Sequence, residues 1–203
     1  MKIFTNHRYA LVTGIVLAAI LSVAISVMAG SKVAFNISSF VRWLHIVSGV
    51  FWIGLLYYLN AVQVPALAAA AEDKGGPGGA GISKYVAPRA LFWFRWAALI
   101  TWLAGAALLS HNFAKAFTLG LTLDTFSLYH VVIGIGAWLG TIMLFNVWAI
   151  IWPNQKKVLG IVTATDEEKA KARKTALYAS RTNFILSIPM LMCMAAAGHG
   201  LPF

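Results

Sequence analysis

Five stretches of the chain run for about twenty residues or more with almost no charged side chain: roughly Tyr9–Ala29, Val41–Val64, Ala90–Leu109, Phe126–Trp152 and Ala176–Gly198. A helix rises 1.5 Å per residue and the hydrocarbon core of a bilayer is about 30 Å thick, so each stretch is long enough to cross it. The pattern predicts an all-α integral membrane bundle of five transmembrane helices, a single membrane domain over residues 1–203. The first stretch has a basic start at Lys2 and Arg8 and a small-residue end at Ala29-Gly30, which also suits a cleaved signal peptide. Twenty-one uncharged residues is long for a signal sequence, and the stretch is read as a retained helix over 9–29. The Gly-rich run Gly75–Gly81 lacks the Gly-Lys-Ser/Thr ending of a phosphate-cradling loop and reads as a flexible linker. Gly134-Ile135-Gly136 lies inside a span, where small residues let helices approach closely.

The polar positions that interrupt these stretches repeat. The second span carries His45, Gly49, Trp52, Gly54 and Asn60, and the fourth carries His130, Gly134, Trp138, Gly140 and Asn146. The order is the same in both, with one extra residue between Gly134 and Trp138. The third span opens Ala90-Leu91-Phe92-Trp93-Phe94-Arg95 and ends near His111; the fifth opens Ala176-Leu177-Tyr178-Ala179-Ser180-Arg181 and ends near His199. Spans two and three (repeat one, about 41–111) and spans four and five (repeat two, about 126–199) therefore read as one helical hairpin written twice, with the first span an addition. The extra residue rotates the inner half of span four by about 100° unless a π-bulge absorbs it, and such a bulge is expected near Gly134–Ala137.

Composition adds the solvent. Sixty per cent hydrophobic against 11% charged, in 203 residues, excludes a water-soluble fold. Sixteen Lys and Arg stand against six Asp and Glu, net +10. With the N-terminus inside, eleven of the sixteen fall in cytoplasmic segments and two, Lys32 and Lys115, outside. That bias places the N-terminus inside and the C-terminus outside, and it explains the basicity by lipid and topology without nucleic acid. The lone Cys193 excludes an internal disulfide, and with no C-x-x-C-H these residues carry no covalent c-type haem.

In that topology His45, His111, His130 and His199, four of five histidines, lie at the outer face on four different helices. Each alone suits an interfacial residue, but imidazoles gathered at one depth in a bundle are what a haem or metal centre requires. No carboxylate lies within a span, so imidazole ligation by b-type haem is favoured, with copper as the alternative. The repeat favours His45 with His130 as the ligand pair, with His111 and His199 as the other candidates. Gly49 and Gly134, one turn from them, are expected to leave room for a macrocycle. Arg42, one turn before His45, is placed for a haem propionate. Toward the other face Arg95 and Arg181 lie without acidic neighbours. They suit snorkelling to lipid phosphates or, with Asn60, Asn146 and Gln63 near the same depth, binding of a planar polar anion.

The runs Arg42-Trp43-Leu44-His45-Ile46, Trp52-Ile53-Gly54-Leu55-Leu56-Tyr57 through Asn60 to Pro65, Asn146 through Trp152-Pro153-Asn154-Gln155-Lys156-Lys157-Val158, Ser180-Arg181-Thr182-Asn183 and Ser187-Ile188-Pro189-Met190 resemble the membrane domain of bacterial cytochrome-linked urate oxidases, over about residues 35–203. Leu-His-Ile followed by Trp-x-Gly-Leu-x-Tyr is also similar to protoporphyrinogen oxidases, which implies a haem-ligand role for His45 only, and to copper-resistance membrane proteins. The urate oxidase resemblance implies a multi-pass protein of the bacterial inner membrane, a urate:cytochrome c oxidoreductase or its membrane subunit. Joined to the outer histidines, it gives the expectation of a b-haem-bearing redox protein that passes electrons from a purine-type substrate such as urate, or from a partner subunit, to a periplasmic cytochrome c. In that family a cytochrome c domain follows the membrane part; without a C-x-x-C-H here, the acceptor is expected to be a separate protein. The alternative is a copper-handling or purely structural membrane subunit.

Overall fold

The computed structural model describes residues 2–203. Every regular element among them is helical, and the chain divides into two compact units, one ending at Ile37 and one over Ser38–Phe203.

The first unit holds the short helix α1 (Lys2–Thr5) and the long helix α2 (His7–Met28). Asn6 caps α2 by accepting the Arg8 backbone N–H at 2.9 Å, and the helix ends just before Gly30, which takes the left-handed conformation at φ +64. No residue of α2 is buried within the protein. With a mean hydropathy of 2.6, this helix has lipid as its natural surroundings.

The second unit contains four continuous helical runs. α3 (Ile37–Tyr58) passes through a π turn (Leu59–Gln63) into α4 (Val64–Glu72). A second π turn (Ile82–Val86) leads into α5 (Ala87–Leu109), which passes through a 3-10 turn (Ser110–Asn112) into α6 (Phe113–Phe117). Helix α7 (Leu128–Phe145) passes through a third π turn (Asn146–Ile151) into α8 (Trp152–Val158), and α9 (Asp166–His199) closes the unit. With α2, these runs make five helices long and apolar enough to cross a membrane.

The three π turns share a local cause. Pro65, Pro88 and Pro153 each lie two residues beyond the last residue of a π turn. A proline has no N–H to donate, and its ring crowds the carbonyl four residues back; widening the preceding turn relieves both problems. Side-chain amides occupy carbonyls close by: Asn60 Nδ2 donates to the Leu56 carbonyl at 2.8 Å, and Asn183 Nδ2 to the Met143 carbonyl at 2.9 Å. Pro189 is different, lying inside α9 where the α pattern continues.

The bulge expected near Gly134–Ala137 is not there. Helix α7 is regular from Leu128 to Phe145, and the wide turn comes later, at Asn146. The extra residue is thus left as rotation. Trp52 is 2% exposed in the core, whereas Trp138 is 46% exposed and donates from Nε1 to the Phe117 carbonyl at 2.9 Å. Gly54 and Gly140 differ in the opposite sense, exposed and buried respectively.

The core between the four runs joins Trp52, Leu56 and Leu59 of α3 and its π turn, Phe94 of α5, and Met143, Val147 and Ile151 of α7 and its π turn. Small residues set the spacing: Ala90, Ala97, Ala98 and Ala104 on α5, and Ala172, Ala176 and Ala179 on α9, are buried. In lipid, where apolar surface gives helices no preference for one another, such small residues let backbones approach and gain dispersion contacts. At Gly136 a Cβ would lie 3.1 Å from the Cys193 Cβ, so α7 and α9 owe their closeness there to a missing side chain.

Both capped ends of the second repeat are built locally. Ser127 caps α7, and Thr165 with Glu168 forms a reciprocal capping box on α9, with bonds of 2.9 and 3.2 Å. Three acidic residues in the first turn of α9, Asp166, Glu167 and Glu168, suit the positive end of the helix dipole. This charged overhang continues the helix beyond the apolar part that begins at Ala176.

Candidate functional site

His45 sits half-buried on α3, facing α5. Its Nδ1 lies 2.8 Å from the Thr101 carbonyl oxygen. A carbonyl only accepts, so Nδ1 carries the proton, which leaves Nε2 as the nitrogen able to offer a lone pair. The neighbouring hydroxyls tie the same two helices together: Thr101 Oγ1 donates within reach of Ser48 Oγ at 3.0 Å and the Ala97 carbonyl at 2.7 Å. Gly105, one turn further along α5, lies against the imidazole, and a Cβ there would be 2.9 Å from His45 Cε1.

His130 is the third residue of α7. Its Nδ1 is 2.7 Å from Ser127 Oγ, the hydroxyl that also caps the helix. Its Nε2 is buried without a hydrogen-bond partner. Tyr129 meets the ring edge-on at 5.1 Å, and Gly120, at φ +74, passes over the His130 Cβ. Both candidate ligands thus have Nδ1 engaged and Nε2 free of hydrogen bonds. Such bonds are how a protein orients a ligand imidazole; the acceptor-only Thr101 carbonyl also fixes the tautomer at His45, while the Ser127 hydroxyl, able to donate or accept, orients the His130 ring.

The other candidates at this end are placed differently. His111 is exposed in the 3-10 turn after α5, His199 is exposed as the last residue of α9, and Arg42 is exposed on α3. Among the described residues no three His, Cys, Asp or Glu side chains gather as a metal site would need, so the imidazoles form no ring of four. The room expected beside the histidines is also partly filled. A Cβ at Gly134 would collide with the Ala116 carbonyl and lie 2.8 Å from Leu119 Cδ2, so this glycine admits the α6 backbone; at Gly49 a Cβ would meet only Thr101 Cγ2, at 3.7 Å.

At the opposite end of the same helices lies a buried amide cluster. Asn60, 1% exposed, donates from Nδ2 to Ser180 Oγ at 2.9 Å as well as to the Leu56 carbonyl. Asn146 Nδ2 donates to Asn183 Oδ1 at 2.8 Å. Ser187 Oγ is 2.7 Å from the Phe184 carbonyl and 3.2 Å from the Tyr57 hydroxyl. Asn60 Oδ1 and Gln63 Oε1 are buried with no partner, as are Trp52 Nε1 and Trp148 Nε1. Arg95 lays its guanidinium over the Trp152 ring at 3.7 Å and near Phe92 at 5.4 Å. Arg181 is half-buried beside Ser180. Neither arginine joins an ion pair among the described residues; the two pairs found are Lys157–Glu168 and Lys169–Asp166.

Sequence reasoning named none of Thr101, Gly105, Ser127, Ser180, Asn183 and Ser187 as a site residue, although Ser180, Asn183 and Ser187 stand in the runs that carry the family resemblance. The available signal was a Ser, Thr or Asn inside an otherwise apolar span, since such residues bond between helices in lipid.

Taken together these features define a polytopic helical membrane protein with half-engaged imidazoles at one end of its spans and a buried amide and arginine cluster at the other. The sequence matches the family described as urate oxidase N-terminal twice, over residues 32–121 and again over 114–203, and the chain belongs to that family. No curated protein and no solved structure matches it.

Proposed function

We propose that this protein, whose family points to a urate-related role, is a membrane redox protein that passes electrons from urate, or from a partner subunit acting on a purine-type substrate, to a separate cytochrome c. The observation that carries the reading is that His45 and His130, at matching places in the repeat, each have Nδ1 engaged, and that His130 Nε2 is buried without a hydrogen-bond partner. That donor set fits b-type haem, which would be held by these two residues and would supply reversible one-electron transfer. Thr101 and Ser127 hold the two rings in orientation. At the other end Arg95, Arg181, Asn60 and Gln63 bind the purine-type anion, the guanidinium groups meeting its charge and the amides its N–H and carbonyl edges. The positive-inside distribution puts this end at the cytoplasmic face and the histidines at the outer face, where a periplasmic cytochrome is reached. The two family matches support reading spans two to five as a duplicated hairpin.

The test is the absorption spectrum of the purified protein, oxidised and then reduced with dithionite. A Soret band with sharp reduced α and β bands, lost in His45→Ala or His130→Ala, supports the reading. Reduction of that chromophore by urate separates an enzyme from an electron-transfer anchor. A colourless, copper-free protein overturns the redox reading, and bound copper without haem moves it to the copper-handling alternative.

A further inference from the structure

The amide cluster is unequally satisfied, and the inequality points to a ligand. Asn60 and Asn146, which match in the repeat, lie at the start of two π turns, Asn60 as the second residue of one and Asn146 as the first of the other. Asn146 spends its amide N–H on Asn183. Asn60 uses Nδ2 twice, on Leu56 and Ser180, and leaves Oδ1 buried without a donor. Three residues on, at the end of the same π turn, Gln63 leaves Oε1 buried without a donor as well, in a residue 7% exposed. One π turn therefore carries two buried orphan acceptors, three residues apart. Buried polar groups without a partner are few in native proteins, and polar groups within helical bundles are retained chiefly where function uses them. Unpaired carbonyl oxygens call for N–H or O–H donors. Neither can pair with a bare carboxylate or phosphate, which offers only acceptors.

From this asymmetry we infer that Asn60 Oδ1 and Gln63 Oε1 form the specificity edge of the substrate site, accepting hydrogen bonds from adjacent ring N–H groups of an oxopurine or similar cyclic ureide. The inference rests on the reading of a urate-type ligand and adds which atoms recognise it and by which edge. The ligand class is set by complementarity: N–H donors toward the π turn, and anionic or carbonyl oxygen left for an arginine at the same end of the spans. The first-repeat π turn is the recognition element, and its second-repeat counterpart, closed by Asn183, is structural.

The experiment measures equilibrium binding of radiolabelled urate, with competition by its four mono-N-methyl derivatives, to the full chain in detergent or nanodiscs. It compares wild type with Gln63→Met and, as a second variant, Gln63→Leu. Both replace the amide by an apolar side chain of similar volume, and Gln63 makes no hydrogen bond that holds the fold. The expected result is urate binding weakened about tenfold or more in both variants, with a melting temperature equal to or above wild type, because an unsatisfied buried oxygen has been removed. In wild type at least one N-methyl derivative binds worse than urate, and in Gln63→Met that derivative binds as well as urate does. Wild-type urate binding that persists unchanged in both variants overturns the specificity edge alone. Wild type that binds no urate overturns the edge and the substrate reading together, while the spectroscopic test of the histidines stands apart.

Discussion

Replacing Gly105 by alanine tests whether the His45 orientation depends on α5. The new Cβ would lie 2.9 Å from His45 Cε1 and 3.1 Å from Nδ1, against an ordinary carbon contact of about 3.5–4.0 Å. The imidazole is the end of a side chain and can retreat by the missing half ångström or more. Its only bond, however, runs to the Thr101 carbonyl at 2.8 Å, one turn away on the same face of α5. Retreat from Gly105 is therefore retreat from Thr101. The cost is that hydrogen bond, about 0.5–1.5 kcal/mol, plus a similar sum if the ring is driven off its rotamer. Glycine to alanine in a helix otherwise gains up to about 1 kcal/mol, so the proper comparison is Gly54→Ala, where the new Cβ meets nothing within 4 Å. Unfolding in mixed detergent and SDS should place Gly105→Ala about 1–3 kcal/mol below Gly54→Ala. If His45 is a ligand, loss of its orienting bond should also weaken cofactor retention about 10–100-fold. Equal stability of the two variants, with an unchanged absorption spectrum, would refute the argument.

The geometry sets three other outcomes. Asn183→Leu removes the acceptor of Asn146 and the donor to Met143, two bonds of 2.8 and 2.9 Å, and should destabilise by about 1–3 kcal/mol in the same unfolding assay. Gly134→Ala drives a methyl into the Ala116 carbonyl and should displace α6, seen as faster proteolysis between Thr118 and Phe126 together with about 1–3 kcal/mol of lost stability. For the topology, single cysteines introduced at Thr122 and Thr163 in a Cys193→Ala background should react with an impermeant maleimide on intact cells at Thr122 only; the reverse pattern would invert the proposed orientation.

The spans were legible because lipid leaves the chain no choice. Any apolar run of that length must satisfy its backbone within a helix. What hydropathy did not reveal is that the helices continue past the apolar stretches, through Val64–Glu72 and Asp166–Thr175. Those extensions are held by caps and prolines, as in the Thr165–Glu168 box, and such signals are local and polar. The wide turns, expected at the extra residue in span four, occur before prolines instead; Pro65 and Pro153, each shortly after an asparagine, are the better signal. Candidate residues on spans two and four were legible from their repetition. Their partners Thr101, Ser180 and Asn183 belong to other helices, and no spacing within a helix encodes which carbonyl or hydroxyl a neighbouring helix will bring to it.

All three π turns lie at the amide-bearing end of the bundle, leaving the histidine-bearing stretches of α3 and α7 as regular helix. The π turns are therefore confined to one end, while the helix break at the other is the 3-10 turn Ser110–Asn112. A wide turn holds one residue more than an α turn, so it can take up a small displacement by redistributing its hydrogen bonds, which a close-packed α segment cannot do without rotating everything beyond it. Displacement of the helix ends there can then be absorbed without turning the segments of α3 and α7 that carry His45 and His130.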